Sequence, residues 1–335
     1  MPIPLLFMGI GAITAIAGVG NTIKAGIDQS DANDINEEAN DIIEEASKKI
    51  DKYRKNSGKA INSLGECKIR VLNESIKPFV EEFEKLNHVE LTASTGMNEL
   101  QKMVLDKSQM KELKQMGSIA SSFVGGVATG TLTGVAAAFG AYGFAGTFAS
   151  ASTGTAIASL SGAAATNATL AFFGGGSLAA GGLGMAGGTA VLGGLVAGPA
   201  LAIMGGVLSS KASANLERAR SNKAKANEYK EEMDAAAVAC SGIRKRSAMF
   251  HRFLLSLNAV FEPLVFEMTQ IIERRGTDFR TYSPNEKKTI AEAMAMAGAI
   301  KSILDTPILD EEGNLTSESE KIVDVTRKKV EEVIA

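Results

Sequence analysis

The sequence predicts an all-α protein, and three observations along its 335 residues support that class. Apolar residues recur at alternating steps of four and three in two charged segments, which is the spacing of a helical seam. A long uncharged segment, rich in glycine and alanine, separates these two segments. The regular alternation of apolar and polar residues that marks a strand is missing from the sequence. We divide the chain into residues 1–23, 24–114, 115–210, 211–275 and 276–335.

The first part, residues 1–23, is apolar and carries no charged side chain. Its length just reaches the roughly 20 residues that a helix needs to cross a bilayer. A secretory signal peptide begins with a basic region, and no basic residue precedes this apolar run. We therefore predict an uncleaved N-terminal membrane anchor, and a buried N-terminal helix is the alternative.

The second part, residues 24–114, is predicted to contain an amphipathic helical arm over about 35–87. Its seam includes Ile43, Ile50 and Leu64, and charged residues cover the other faces of the helix. The pattern is that of a helix which buries one stripe against a partner helix.

Small residues and one proline modify this first arm. Several seam positions are alanine or serine, which favours close antiparallel packing against a neighbouring helix. Pro78 predicts a kink or the end of the helix, because proline has no backbone N–H to donate. A shorter helix is predicted to follow over roughly 95–116.

The fourth part, residues 211–275, repeats the pattern and predicts a second amphipathic arm. Pro263 lies inside the run and predicts a kink. The two seams are expected to face each other, or the short helices beside them, in an antiparallel coiled-coil stalk or bundle. The seam of the second arm includes Met233, Ile243, Leu254, Leu257 and Phe261.

The last part of the chain is predicted to form a small helical segment. Ser283 and Glu286 have the spacing of a capping box, and the proline between them occupies the first helical position. Ser317 and Glu320 repeat the spacing before a final helix over about 318–334.

The third part, residues 115–210, contains no acidic, basic or histidine residue over 96 positions, and it holds 23 of the 35 glycines. It includes one G-x-G-x-x-G sequence, at 182–187. A dinucleotide-binding turn of that kind follows a strand and precedes an acidic residue by about 20 positions. Neither feature is present, and no G-x-x-x-x-G-K-[ST] sequence occurs, so we expect no nucleotide cofactor. The 27 large apolar residues of this part also disfavour a flexible linker.

Glycines spaced four apart in this part predict a membrane helical hairpin, because helices in lipid associate by close contact between small residues. Basic residues predominate at both flanks, which favours a cytoplasmic position for both ends and predicts two or four passes. Alanine, serine and threonine keep the segment only marginally apolar, which suits a segment that a helical bundle shelters before it enters lipid. The glycines expected to pack membrane helices are Gly126, Gly130, Gly134, Gly184, Gly188, Gly194 and Gly198.

Residues with catalytic or metal-binding chemistry are scattered in the sequence. Two cysteines and two histidines do not make a disulfide framework or a zinc site. The acidic run at 310–312 lacks the EF-hand spacing, and no G-x-S-x-G nucleophile sequence occurs. A net charge of −3 provides no basic field for nucleic acid. We therefore expect no enzyme activity, no cofactor, no metal site and no nucleic-acid partner.

The charged arms surround residues 154–206, "GTAIASLSGAAATNATLAFFGGGSLAAGGLGMAGGTAVLGGLVAGPALAIMGG". In this layout the chain resembles the apolipoprotein-L-like group with its bacterial relatives, and bacterial glycine-zipper proteins. It is also similar, more broadly, to colicin-type pore formers. The resemblance implies membrane insertion and an ion-conducting pore, and it provides no catalytic residue to carry over.

These features together predict a membrane-inserting helical protein, a pore-forming or membrane-permeabilising effector that oligomerises through its glycine-zipper helices. The expected partners are a lipid bilayer, further copies of the chain and a protein bound to the helical arms. The expected location is a bacterial inner membrane with cytoplasmic arms, together with a soluble cytosolic form. The alternative is a non-conducting, membrane-anchored helical scaffold that binds a protein partner.

Overall fold

A computed structural model describes residues 28–89, 105–128, 139–141, 216–310 and 314–334. Within these ranges the regular backbone is helical, apart from two isolated backbone bridges. The predicted all-α class is confirmed for this part of the chain. The helices are α1 (Asp28–Val71), α2 (Lys77–Phe83), α3 (Lys107–Ala128), α4 (Leu216–Arg275), α5 (Pro284–Asp305) and α6 (Ser317–Ile334).

The described helices divide into two compact units. The first unit contains α1 as far as Lys59 and α4 as far as Arg244, and the second unit contains the remainder of both helices. Helices α2, α3, α5 and α6 and residues 139–141 also belong to the second unit. The boundary between the two units therefore lies inside α1 and, a second time, inside α4.

In the first unit, α1 and α4 run in the same direction. The Ser47 hydroxyl lies 3.1 Å from the Tyr229 hydroxyl, and the two residues are 182 positions apart in sequence. Asn222 Nδ2 donates to Asn36 Oδ1 at 3.0 Å, across a separation of 186 positions. Because residue numbers rise together along both helices, the pair is parallel.

The second unit shows the same direction. Ser75 Oγ donates to Glu262 Oε1 at 3.2 Å, and the Asn87 N–H donates to the Thr277 carbonyl at 2.8 Å. The expectation of antiparallel arms is therefore wrong for the described contacts. The spacing of apolar residues along a seam is the same whether the partner helix is parallel or antiparallel. A short connection between two helices favours the antiparallel arrangement. Here residues 84–215 separate the two arms, so the connection does not impose that direction.

Helix α3 supplies an antiparallel neighbour in the second unit. Lys114 Nζ bonds the Glu84 carboxylate at 2.7 Å, and Ser121 Oγ donates to Asn73 Oδ1 at 2.8 Å. Residue numbers therefore rise along α3 while those of its partners at the end of the first arm fall, so the two helices are antiparallel. The antiparallel neighbour of the first arm is thus a short helix, which was one of the two partners that the sequence left open for the seam.

The start of α3 lies later than the predicted helix over 95–116. Asp106 Oδ1 accepts from the Gln109 N–H at 2.8 Å, and Gln109 Oε1 accepts from the Asp106 N–H at 3.0 Å. This reciprocal pair caps the helix, which begins at Lys107 and continues to Ala128. Residues 95–104 lie outside the described chain.

The first arm continues past Pro78 through a short π-helical turn. The turn spans Leu72–Ile76, and the Lys77 N–H donates to the Leu72 carbonyl five residues back. A wider turn accommodates the missing N–H of proline, so the arm resumes as α2 with Pro78 in its first turn. Pro263 likewise lies within α4, and that helix continues to Arg275.

The caps of the last two helices differ in how well the sequence predicts them. The capping box of α5 is confirmed, since the Ser283 N–H donates to Glu286 Oε2 at 2.8 Å and Ser283 Oγ accepts from the Glu286 N–H. At α6 the cap is Thr316, whose Oγ1 accepts from the Ser319 N–H at 3.2 Å. The predicted box at Ser317 is thus displaced by one residue, because the threonine before it offers an equivalent hydroxyl.

The membrane predictions fall largely outside the described residues. The anchor at 1–23 and all of 115–210 except 115–128 and 139–141 belong to that remainder. Among the described helices, none is both long enough and apolar enough to cross a bilayer. The hairpin and its number of passes stay predictions.

Candidate functional site

The predicted seam residues are buried in both units. Within the first unit, Ile43, Ile50 and Met233 belong to one apolar cluster, which also contains several alanines of both helices. In the second unit, the Phe261 ring packs edge-on against Phe79, with 5.3 Å between ring centroids. The other predicted seam residues, Leu64, Ile243, Leu254 and Leu257, are also buried. These positions hold the helices together and carry no chemistry of their own.

One of the predicted packing glycines lies in the described chain. Gly126 is in the last turn of α3, within the uncharged part of the sequence. Membrane helix packing by these glycines stays a prediction. The remaining members of the set, Gly130, Gly134, Gly184, Gly188, Gly194 and Gly198, lie outside the described residues.

The uncharged part of the chain meets the charged helices at residues 139–141, which we call the docking tripeptide. Phe139 and Ala141 are fully buried in the second unit. The Ala141 carbonyl accepts two backbone hydrogen bonds, from the Ile308 N–H at 2.8 Å and the Leu309 N–H at 3.0 Å. Buried side chains and paired backbone groups make this a specific contact.

The central residue of the docking tripeptide must be glycine. A Cβ atom on Gly140 would lie 2.1 Å from the carbonyl oxygen of Ile61 in α1. The obstacle is helical backbone, which cannot rotate away as a side chain can. Glycine therefore allows the uncharged segment to approach the α1 backbone directly.

A buried lysine lies on the same helix, two turns after Ile61. Lys68 has no solvent exposure, and its Nζ donates to the Leu304 carbonyl at 3.4 Å. Burial lowers the pKa of Lys68 to about 7, although the nearby Asp305 carboxylate and Cys67 thiol favour the charged form. The ammonium group thus changes charge close to neutral pH inside the second unit.

Two further charged groups, Lys301 and Glu112, complete a cluster around Lys68 that is buried at one end and exposed at the other. Lys301 Nζ contacts Asp305 Oδ2 and lies 2.8 Å from Glu112 Oε2. Burial raises the pKa of Asp305, and the hydrogen bond from Lys301 opposes that rise. The cluster joins α1, α3 and α5, and its charges range from the fully buried Lys68 to Glu112, whose side chain is 45% exposed.

The two cysteines are free and buried. Burial raises the pKa of Cys67 to about 11 and also raises the pKa of Cys240. Both thiols are therefore protonated at neutral pH and poor nucleophiles. In the described ranges no group of histidine, cysteine and carboxylate side chains is placed to hold a metal ion.

Sequence reasoning missed both the docking tripeptide and Lys68. Gly140 stands in a segment where glycine is common, so its spacing gives no sign of a special contact. Lys68 comes four residues after the seam residue Leu64 and beside the predicted seam, a position that in an isolated pair of helices would be partly exposed to water. The helices that surround it in the second unit come from distant parts of the chain.

Comparison with known proteins gives no match: no family model, no curated protein and no solved structure is similar to this chain. The resemblance to the apolipoprotein-L-like group and to colicin-type pore formers stays a prediction from the sequence.

Proposed function

We propose that the protein is a membrane-active helical effector that inserts its uncharged segment into a bilayer and permeabilises it. The observation that carries this proposal is the 96-residue stretch without a charged side chain, set between charged amphipathic helices. A segment of that length with 27 large apolar residues has a strong tendency to leave water. Lipid and a protein core are the two environments that accept it.

The docking tripeptide supports a segment that can exchange between these environments. Phe139 is fully buried in the second unit, and burial of one such ring stabilises a contact by about 1.5–3 kcal/mol. A membrane offers the same ring a comparable apolar environment. A contact of this size is strong enough to hold a segment and weak enough to be replaced by lipid.

The second candidate function is a membrane-anchored scaffold that conducts nothing. It is favoured by apolar side chains that α4 presents to solvent, namely Val238 at 73% and Phe266 at 68% exposure. Exposed apolar side chains on a charged helix are suited to a protein partner. In this candidate the uncharged segment only attaches the arms to the membrane.

Dye release from liposomes distinguishes the two candidates. Full-length protein is added to vesicles that contain a self-quenching dye, and vesicle binding is measured in parallel by flotation. A permeabilising effector releases dye, whereas a scaffold binds vesicles and leaves them sealed. Protein that neither floats with vesicles nor releases dye contradicts both candidates. Deletion of residues 117–208 is the control: it should abolish dye release and reduce vesicle binding to the level that the predicted anchor at residues 1–23 provides.

A triple substitution tests the predicted glycine zipper within that function. Leucine in place of Gly126, Gly130 and Gly134 separates helix backbones that small residues would bring into contact. We expect loss of the oligomer in detergent and loss of dye release, with vesicle binding retained. Unchanged oligomer size and release would show that these glycines do not pack helices.

A further inference from the structure

A groove in the second unit has an apolar floor supplied by three helices. It is open to solvent on one side and has a volume of about 420 Å³, within the range of roughly 300–1,000 Å³ typical of small-molecule sites. The α4 side of the groove follows one helical face, at steps of three and four. That face consists of Met249, Arg252, Phe253, Ser256, Leu257 and Val260.

The least exposed residues of the groove are apolar. Leu257 of α4, Met296 of α5 and Val330 of α6 line it and are almost completely buried. Val260, at the edge, retains 38% exposure and extends the apolar surface outward. An extended apolar chain can therefore lie along the groove and cover surface that now faces water.

Two arginines from different helices converge on this groove, Arg252 of α4 and Arg327 of α6. The Arg327 guanidinium lies over the Phe253 ring, 5.6 Å from its centroid, which holds the positive charge above the floor. Its ion pair with Asp324 is long, at 3.8 Å, and solvent-exposed, so it neutralises little charge.

The second guanidinium keeps its terminal nitrogens as donors. Arg252 uses Nε to donate to the Ala248 carbonyl at 3.3 Å, a bond within its own helix. No carboxylate is found among the residues that line the groove in the described chain. Two guanidinium groups beside an apolar floor are complementary to a ligand that has an anionic head and an apolar chain.

We propose that this groove binds a free single-chain amphiphile with an anionic head group, of the fatty-acid class. The chain lies on the floor formed by Leu257, Met296 and Val330, and the carboxylate lies between Arg252 and Arg327. The volume suits one chain, which is why the ligand is a free amphiphile and not a two-chain membrane lipid. This site goes beyond the proposed membrane activity and does not depend on it.

Titration calorimetry with the full-length protein tests the site, with decanoate kept below its critical micelle concentration. Decanoate is expected to bind with one-to-one stoichiometry. Decanol, which has the chain without the charge, should bind about 100-fold more weakly, as loss of one charge-assisted hydrogen bond to each arginine predicts. Acetate, which has the charge without the chain, should give no binding heat.

Substitution of each arginine locates the head group. Arg252→Gln and Arg327→Gln should each weaken decanoate binding about tenfold and leave decanol unchanged. Arg274→Gln is the matched control, because Arg274 is exposed on the same helix and its Nε also donates to a carbonyl four residues back. Circular dichroism of each variant verifies that the helices are retained.

Four results would overturn the proposal. They are no saturable binding of decanoate, equal affinity for decanol and decanoate, equal loss of affinity in the control variant, and binding to anionic phospholipid vesicles without binding of free decanoate. The last result would assign the arginines to a membrane surface. Dye release by the wild-type protein is measured independently, so failure of this site and failure of the membrane function are separate outcomes.

Discussion

The two units use the same pair of parallel helices and differ in what those helices enclose. In the first unit, α1 and α4 meet through a cluster rich in alanine, with polar pairs such as Ser47–Tyr229 beside it. In the second unit, the helices meet large rings and a charged cluster around the buried Lys68. Helix α5 contributes to this difference, because the Leu304 carbonyl at its end accepts from Lys68 beside the two-helix seam.

The uncharged segment contacts the second unit through residues 139–141. The docking tripeptide belongs to the second unit, where Ile61 and the backbone after α5 receive it. Cavities, buried charges and backbone contacts of this kind can be changed one at a time, and each change should affect one unit more than the other.

The largest effect is expected from the aromatic core of the second unit. Phe261→Ala removes a fully buried ring and should destabilise that unit by about 3–5 kcal/mol. Hydrogen–deuterium exchange, resolved by peptide, should show faster exchange in α5 than in residues 36–50 of α1. Phe266→Ala, on the exposed side of the same helix, is the control and should change exchange little. A uniform loss of protection in both units would show that they unfold as one.

The next effect concerns the docking tripeptide. Gly140→Ala places a Cβ against the Ile61 carbonyl oxygen and should cost about 1–3 kcal/mol by overpacking. The Ile308 and Leu309 amides, which donate to Ala141, should exchange faster.

Gly117→Ala is the matched glycine control for that test. A Cβ at Gly117 would lie 3.3 Å from Lys77 Cβ, so a small shift of the backbone relieves the contact, whereas the 2.1 Å contact at Gly140 requires a much larger one. If Gly140→Ala leaves the Ile308 and Leu309 amides as protected as Gly117→Ala does, the tripeptide contact is not the one described.

The third effect concerns how the free energy of unfolding of the second unit depends on pH. Lys68 has a folded pKa of about 7 and an ordinary value of 10.5, so between these pH values the unfolded state binds more protons. The contribution of Lys68 to the free energy of unfolding therefore rises with pH from about 7 to 10.5. That contribution is lowest below about pH 7, where the amine is charged in both the folded and the unfolded state. Lys68→Met should remove that dependence and stabilise the second unit at pH 7 by roughly 1–4 kcal/mol.

Chemical denaturation of wild type and variant at several pH values measures this difference. Asp305 keeps Lys301 as a partner in the variant, so no carboxylate is left unpaired. Arg70→Met removes a cation that lies two positions further along the same helix and is exposed, and it should not change the slope. A Lys68→Met variant with the pH dependence of wild type would contradict the buried position of the amine.

The smallest effect is expected in the first unit. Tyr229→Phe removes the hydroxyl that pairs with Ser47 and should cost about 1 kcal/mol or less, the net worth of one neutral hydrogen bond. Exchange in residues 36–50 should increase while the second unit is unchanged. The double variant with Ser47→Ala should be no less stable than Tyr229→Phe alone, because the serine has already lost its partner.

Local features of the fold could be predicted from the sequence with good accuracy. The seam positions Ile50 and Leu254 are buried as their spacing indicates, and the Ser283 capping box forms. Seam positions and caps both depend on residues only a few positions apart in sequence. Over that distance the geometry of the helix fixes which way a side chain points. The cap of α6 was displaced by one residue, because Thr316 and Ser317 offer similar hydroxyl groups and local sequence does not choose between them.

The helical class, the amphipathic arms and the existence of a long charge-free segment follow from the sequence by itself, since periodicity and charge are properties of the chain. Only the tertiary structure decided that the arms run parallel, that Lys68 is buried and that Gly140 touches the α1 backbone. Those three facts depend on which distant segments come together. A seam pattern records that a helix face will be covered, and it does not record the identity or the direction of the element that covers it.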